Sequence, residues 1–152
     1  VQVRFIGQRE LLPEKLLKVI SDSEARTRNN NSLVLQIAAS YGGQWDITQA
    51  ARSLAEKVAR GELRPEQIDE QTFAAELAFS DLPDADLFIR TGGELRISNF
   101  LLWQAAYTEF YFSELLWPDF NAAELDRAIA AYGKRERRFG LTGAQLRERA
   151  RA

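Results

Sequence analysis

The 152-residue sequence contains no cysteine, no histidine and no methionine. Without cysteine there is no disulfide, no thiol nucleophile and no thiolate zinc site. Without histidine there is no imidazole base and no histidine-based triad, and nearly every remaining zinc or iron site is excluded. Any metal must then be a hard cation held by oxygens. An excess of positive charge is missing as well. Lys+Arg number 20 against 22 Asp+Glu, a net charge of −2, so the chain is not a generally basic binder of nucleic acid or membrane. No signal peptide is visible, and no apolar run approaches the ~20 residues of a membrane helix. A cytoplasmic protein with no integral membrane segment is the expectation. The lack of methionine, with Val1 opening a strand already under way, leads us to expect a fragment of a longer chain. What is present is a globular composition, 45% hydrophobic and 11% aromatic, at the length of one ordinary domain.

Hydrophobic periodicity sets out the elements. Residues 1–6 alternate as a strand and stop at Gly7. Pro13 opens a helix with Leu16, Leu17, Val19 and Ile20 on one stripe,. Residues 33–38 form a second strand, running into Tyr41-Gly42-Gly43. Asp46 is placed to cap a helix over 47–60, closed by Gly61, with Ile47, Ala51, Leu54, Ala55 and Val58 inward,. Pro65 to Leu77 reads as one or two short helices, and Leu87-Phe88-Ile89 as a third strand. Ser98-Asn99 is placed to cap a helix through about Tyr107, followed by a fourth strand, Phe110-Tyr111-Phe112. Asn121 with Glu124 resembles a capping box for a last helix bearing Leu125, Ile129 and Tyr132,. Strands alternating with helices predict an α/β fold with a parallel sheet of about four strands and flanking helices. In such a sheet the strand-to-helix loops, here 7–12, 41–46, 90–98 and 113–118, gather at the carboxyl edge, where ligands bind.

The richest of these loops is Arg90-Thr91-Gly92-Gly93-Glu94-Leu95-Arg96-Ile97-Ser98-Asn99. The planar guanidinium fork matches phosphate oxygens, and a helix start offers free N–H groups. Arg90, Arg96 and Ser98 so placed describe a diphosphate pocket. The alternative is that Arg90 and Arg96 pair with Asp86 and Glu94 while Ser98 only caps. Neither the P-loop lysine motif nor a GxGxxG fingerprint is present. Glu109, among aromatics, must be paired or metal-bound. It is either a ligand for Mg²⁺ on a diphosphate or the partner of an arginine. From Tyr132 to Ala152 there are seven Lys/Arg and two Glu, which reads as a solvated basic face, with a phosphate or nucleic acid as alternatives. Arg9 reads as a structural charge, and Trp45 and Trp103 as core.

Several longer stretches stand in one order: Phe5-Ile6-Gly7 with Arg9 and Pro13; Tyr41-Gly42-Gly43; Asp86 through Glu94; Arg96 through Gln104; Tyr107; Glu109 through Phe112; Leu116-Trp117-Pro118-Asp119-Phe120; and Arg137 through Gly140. Together they resemble the signature of the cis-prenyltransferases, closest in look to bacterial members that make the undecaprenyl diphosphate of cell-wall lipid carriers. The resemblance covers residues 1–140. It makes them the C-terminal portion of one larger Rossmann-like domain, with 141–152 a basic tail expected to be mobile.

The resemblance implies addition of isopentenyl diphosphate to an allylic diphosphate such as farnesyl diphosphate, with Mg²⁺, in a homodimer. It places Arg90, Arg96, Ile97 and Ser98 at the isopentenyl diphosphate headgroup, Glu109 at Mg²⁺, and Arg138 and Gly140 in a neighbour's site across the dimer. It also implies an Asp-Gly-Asn-Gly-Arg-Trp motif with the main Mg²⁺ carboxylate, which this sequence does not contain. No catalytic residue is therefore assigned here, and inactivity of these residues alone is expected. Gln44 stands where the family often has Arg, and Leu95 where some relatives have His. Leu33 is a candidate for the floor of a product tunnel, or else ordinary core. The alternatives are a non-catalytic partner subunit of a prenyltransferase, a generic nucleotide-binding module and, resting on the tail alone, a nucleic-acid binder.

Overall fold

The computed structural model describes residues 1–135. The basic tail 141–152 and the residues Arg138 and Gly140 lie outside the described residues. The chain divides into two compact units, Val1–Pro83 with Ser98–Trp103, and Asp84–Ile97 with the chain from Gln104 onward.

In the first unit, β1 (Gln2–Ile6) runs parallel to β2 (Val34–Ala38), in register from Gln2 opposite Val34 to Ile6 opposite Ala38. The crossover is α1 (Glu14–Thr27), entered from Pro13. This helix also satisfies the free edge of β1, whose outward N–H groups would otherwise lack partners. The Val3 N–H donates to Thr27 Oγ1 at 3.0 Å and the Phe5 N–H to Glu24 Oε1 at 2.8 Å. Arg9 donates to the Phe5 carbonyl at 2.7 Å and to Glu24 at 2.6 Å, the structural charge expected of it. Downstream lie α2 (Gly43–Ala59) and α3 (Glu70–Ala74). Ile20, Ala50, Leu54 and Leu77 form the buried core.

In the second unit, β3 (Leu87–Arg90) pairs in parallel with β4 (Glu109–Phe112), and α4 (Ala122–Gly133) follows. Phe88, Ala105 and Ala128 are buried. The α/β class, the four strands and their parallel sense agree with the sequence. The strands pair as two two-stranded sheets among the described residues.

Three expectations are corrected. The helix placed at 98–107 is a run of turns. Ser98, Asn99 and Leu101 have φ of 51°, 62° and 50°, left-handed conformations that a right-handed helix cannot contain. The second helix begins at Gly43, so Asp46 lies inside its first turn and is buried. Of the stripe expected inward on α2, Leu54 is buried, while Ala51 and Ala55 are exposed. On α2 the buried positions are Gly43, Asp46, Ala50 and Leu54, and on α4 they are Glu124 and Ala128, while Leu125 and Ile129 are 40% and 52% exposed. Trp45 and Trp103 are half-buried, Trp103 stacking on Phe73 with centroids 4.7 Å apart.

Candidate functional site

The second unit's strands both end toward one loop pair, after Arg90 and after Phe112. The pair is stitched by the glycine turn. Gly92 and Gly93 have φ of 87° and 71°, values that only glycine adopts at little cost. Their N–H groups donate to the carbonyls of Leu115 at 2.7 Å and Ser113 at 2.9 Å. The turn is thereby aimed back on β4, and the stretch from Glu94 to Ile97 is presented beyond it.

Arg90 ends β3, and its guanidinium donates to the Arg96 carbonyl. That bond closes the loop on itself and brings two arginines of the expected site into one turn of chain. Arg96 pairs with Glu94 within the loop, with side chains 65% and 42% exposed. An exposed pair of this kind contributes about 0–1 kcal/mol. The pairing of Arg96 with Glu94 is the one the alternative reading expects. Arg90 is engaged by the backbone of Arg96. Ile97 ends the same stretch. Ser98 belongs to the other unit, the boundary falling between Ile97 and Ser98. With no helix after it, the helix-tip part of the expected phosphate cradle is absent.

Glu109 sits elsewhere. It opens β4 opposite Leu87, whereas Arg90 closes β3 opposite Phe112. Three residues of strand separate the two ends, roughly 10 Å at ~3.3 Å per residue. Glu109 Oε2 accepts from Arg135 at 2.8 Å, and the pair is 25% and 43% exposed. Its carboxylate is the donor type Mg²⁺ takes, but one carboxylate does not make a site. Among the described residues no group of three or more Asp or Glu is arranged to hold a metal ion. The donor type fits; the donor number is incomplete.

Two buried carboxylates escaped the sequence because apolar periodicity passes over them. Asp46, 3% exposed, accepts from the Tyr41 hydroxyl and the Ala78 N–H, each at 2.9 Å. Burial and then Asp46 push the Tyr41 hydroxyl far above its ordinary value. Glu124, 6% exposed, accepts at Oε1 from the hydroxyls of Ser113 and Tyr111, each at 2.9 Å, and pairs through Oε2 with Arg127 at 2.5 Å. The Ser113 and Tyr111 hydrogen bonds hold its carboxyl below the ordinary range. The only sequence signal for Glu124 was its place in the capping box. Asn121 does accept from the Glu124 N–H, at 3.2 Å, while the Glu124 side chain turns to β4 instead of closing the box.

In the first unit, the Tyr-Gly-Gly loop is closed by Asn99. Its carbonyl accepts from the Gly43 N–H at 2.7 Å and its Oδ1 from the Gln44 N–H at 2.8 Å. Asn99 thus caps α2, fifty-five residues earlier, not a helix of its own. Gly43 is required by proximity, since a Cβ there would lie 2.6 Å from Leu102 Cγ.

A family model described as "Putative undecaprenyl diphosphate synthase" matches residues 1–140. A ditrans,polycis-undecaprenyl-diphosphate synthase ((2E,6E)-farnesyl-diphosphate specific) of Xanthomonas axonopodis pv. citri is 57% identical over 150 residues, 99% of this chain and 58% of that protein. A like-named protein of Xylella fastidiosa is 54% identical over 149 residues, 98% of this chain and 58% of its own length. Among solved structures, lavandulyl diphosphate synthase from Lavandula x intermedia, in complex with dimethylallyl diphosphate, superposes with a TM-score of 0.89 at 45% identity. That match covers 91% of this chain and 60% of the lavender enzyme. The chain therefore spans well under two thirds of the length of these relatives.

Proposed function

The chain belongs to the undecaprenyl diphosphate synthase family of cis-prenyltransferases, and on that premise we propose that it carries the isopentenyl diphosphate side of a cis-prenyl elongation site. The observation that carries the proposal is the closed loop at the end of β3, with Arg90 bonded to the Arg96 backbone and Arg96 paired with the exposed carboxylate of Glu94.

The reaction needs an allylic diphosphate to leave, the isopentenyl double bond to attack the carbon it vacates, and a proton to be lost from the adduct. The isopentenyl diphosphate group is not itself broken, so the task of its binding residues is orientation. Arg96, once released from Glu94, offers a bidentate fork to the phosphoryl oxygens. Arg90 holds the loop that presents it and adds a second positive charge. Fixing the nucleophile in this way lowers the barrier by converting an encounter into a positioned attack. Ile97 completes the headgroup contacts in this reading.

Glu109 is the oxygen donor among the described residues that we assign to Mg²⁺. The ion would neutralise diphosphate charge. Farnesyl diphosphate as the allylic substrate and undecaprenyl diphosphate, a cell-wall lipid carrier precursor, as the product are supported by the names of the bacterial relatives at 57% and 54% identity. The superposition on lavandulyl diphosphate synthase shows that one fold serves more than one product, so product identity rests on the sequence likeness. A cytoplasmic homodimer completed by Arg138 and Gly140 is part of the same proposal. A non-catalytic partner subunit is the second reading; activity of a relative-length chain on its own excludes it.

Steady-state kinetics on a chain of the relatives' full length test the assignment. Arg96→Ala and Arg90→Ala should each raise KM for isopentenyl diphosphate by roughly 10- to 100-fold, the loss of one charge-assisted contact, and leave KM for farnesyl diphosphate nearly unchanged. Unchanged isopentenyl diphosphate kinetics would sink the headgroup assignment. The 152 residues by themselves should show no prenyl transfer from farnesyl and isopentenyl diphosphates, and turnover by them would refute that expectation.

A further inference from the structure

We propose that Ser113 and Glu124 are positioning residues that fix the loop Thr91–Ile97 in its diphosphate-binding shape. The inference rests on the reading of that loop given above.

Ser113 is the first residue beyond β4, and every polar atom it has is committed. Its N–H donates to the Arg90 carbonyl at 2.8 Å, and its carbonyl accepts from the Gly93 N–H at 2.9 Å. Its hydroxyl accepts from the Leu115 N–H at 3.3 Å and donates to Glu124 Oε1 at 2.9 Å. Leu115 in turn accepts from the Gly92 N–H at 2.7 Å. Its backbone, in a residue 3% exposed, therefore ties the end of β3 to Gly93, and its hydroxyl anchors that backbone to Glu124 and to Leu115, the acceptor of the Gly92 N–H.

Glu124 holds Ser113 from the first turn of α4. Its backbone is fixed by the Asn121 cap, and its carboxylate by Tyr111 and Arg127 as well as Ser113. The connection runs from α4 through Glu124 Oε1 and the Ser113 hydroxyl to the backbone on which Arg90 and Arg96 are mounted. A bidentate grip on a diphosphate tolerates little angular error, and contacts to the groups that set it are felt in binding. A carboxylate placed only to stabilise α4 would have no need to reach past its own capping box to the strand end.

The expected outcome is a split between substrates. In a full-length chain, Ser113→Ala should raise KM for isopentenyl diphosphate about tenfold, the effect of one buried hydrogen bond to a charged group. KM for farnesyl diphosphate and kcat at saturation should stay within about twofold. Glu124→Gln, which keeps shape but not charge, should shift the same parameter in the same direction, and Ser113→Thr, which keeps the hydroxyl, should restore it. A thermal-shift titration with isopentenyl diphosphate gives a readout without turnover: Ser113→Ala should need about tenfold more ligand for the same rise in Tm. If Arg96→Ala raises KM for isopentenyl diphosphate while Ser113→Ala and Glu124→Gln do not, the loop reading stands and this inference falls. If Arg96→Ala has no effect, the loop reading itself fails. Equal changes in both KM values would mark Ser113 as a general structural residue and overturn the positioning role.

Discussion

Asn99 shows how a single residue can be recognised correctly and assigned to the wrong helix. Its type and its place before an apolar run mark it as a cap, and a cap it is, for α2 instead of the residues that follow it. The backbone at φ 62° turns the chain away from helix and points both acceptors at the Gly43 and Gln44 N–H groups. No local pattern announces a partner fifty-five positions away. The geometry makes a prediction with an internal control. Asn99→Ala removes the side-chain acceptor and places alanine in a left-handed conformation, and should cost about 1–2 kcal/mol in urea unfolding. Asn99→Gly removes the same acceptor without the conformational strain and should cost less. Equal costs for the two would contradict this account of the turn.

Among the elements, the strands and helix positions were legible because their apolar periods are strong, and the parallel sense followed from their alternation. The inward faces were not, because the innermost side chains at the starts of α2 and α4 are carboxylates. Asp46 and Glu124 take buried positions near the starts of α2 and α4; Leu54 keeps its expected inward place on α2, while Leu125 and Ile129 on α4 are outward. Buried carboxylates are acceptable only with hydrogen-bond donors, and those donors come from distant segments. Along β2 the exposed positions are likewise apolar: Leu35 at 48% and Ile37 at 38%, with Leu33 just before the strand at 59%. Leu33 is therefore not core within these residues. Glu124 also makes a pH prediction. Its folded value is depressed by the hydroxyls of Ser113 and Tyr111. The resulting stability is full above the ordinary carboxylate value near 4.5 and is lost as pH falls through the lowered one. The gap in urea midpoint between the parent and Glu124→Gln should be constant near neutrality and close on acidification below that value. A gap independent of pH would show that the charge of Glu124 does not contribute.

Across the whole chain, the order of motifs identified the family, while the site was only half legible. Arg90 and Arg96 share a loop, as their spacing suggested. Glu109, read as a Mg²⁺ ligand or the partner of an arginine, opens β4 at the end of the sheet opposite Arg90 and pairs with Arg135. Ser98 looked like a helix tip because the positive φ values after it have no compositional mark. No helix among the described residues is long and apolar enough to cross a membrane.

The most direct test of the central claim is calorimetric titration of a full-length chain with isopentenyl diphosphate, with and without Arg96→Ala. The account predicts that the substitution weakens binding by roughly 10- to 100-fold and leaves the affinity for farnesyl diphosphate unchanged. Equal affinity for isopentenyl diphosphate in the two proteins would contradict it.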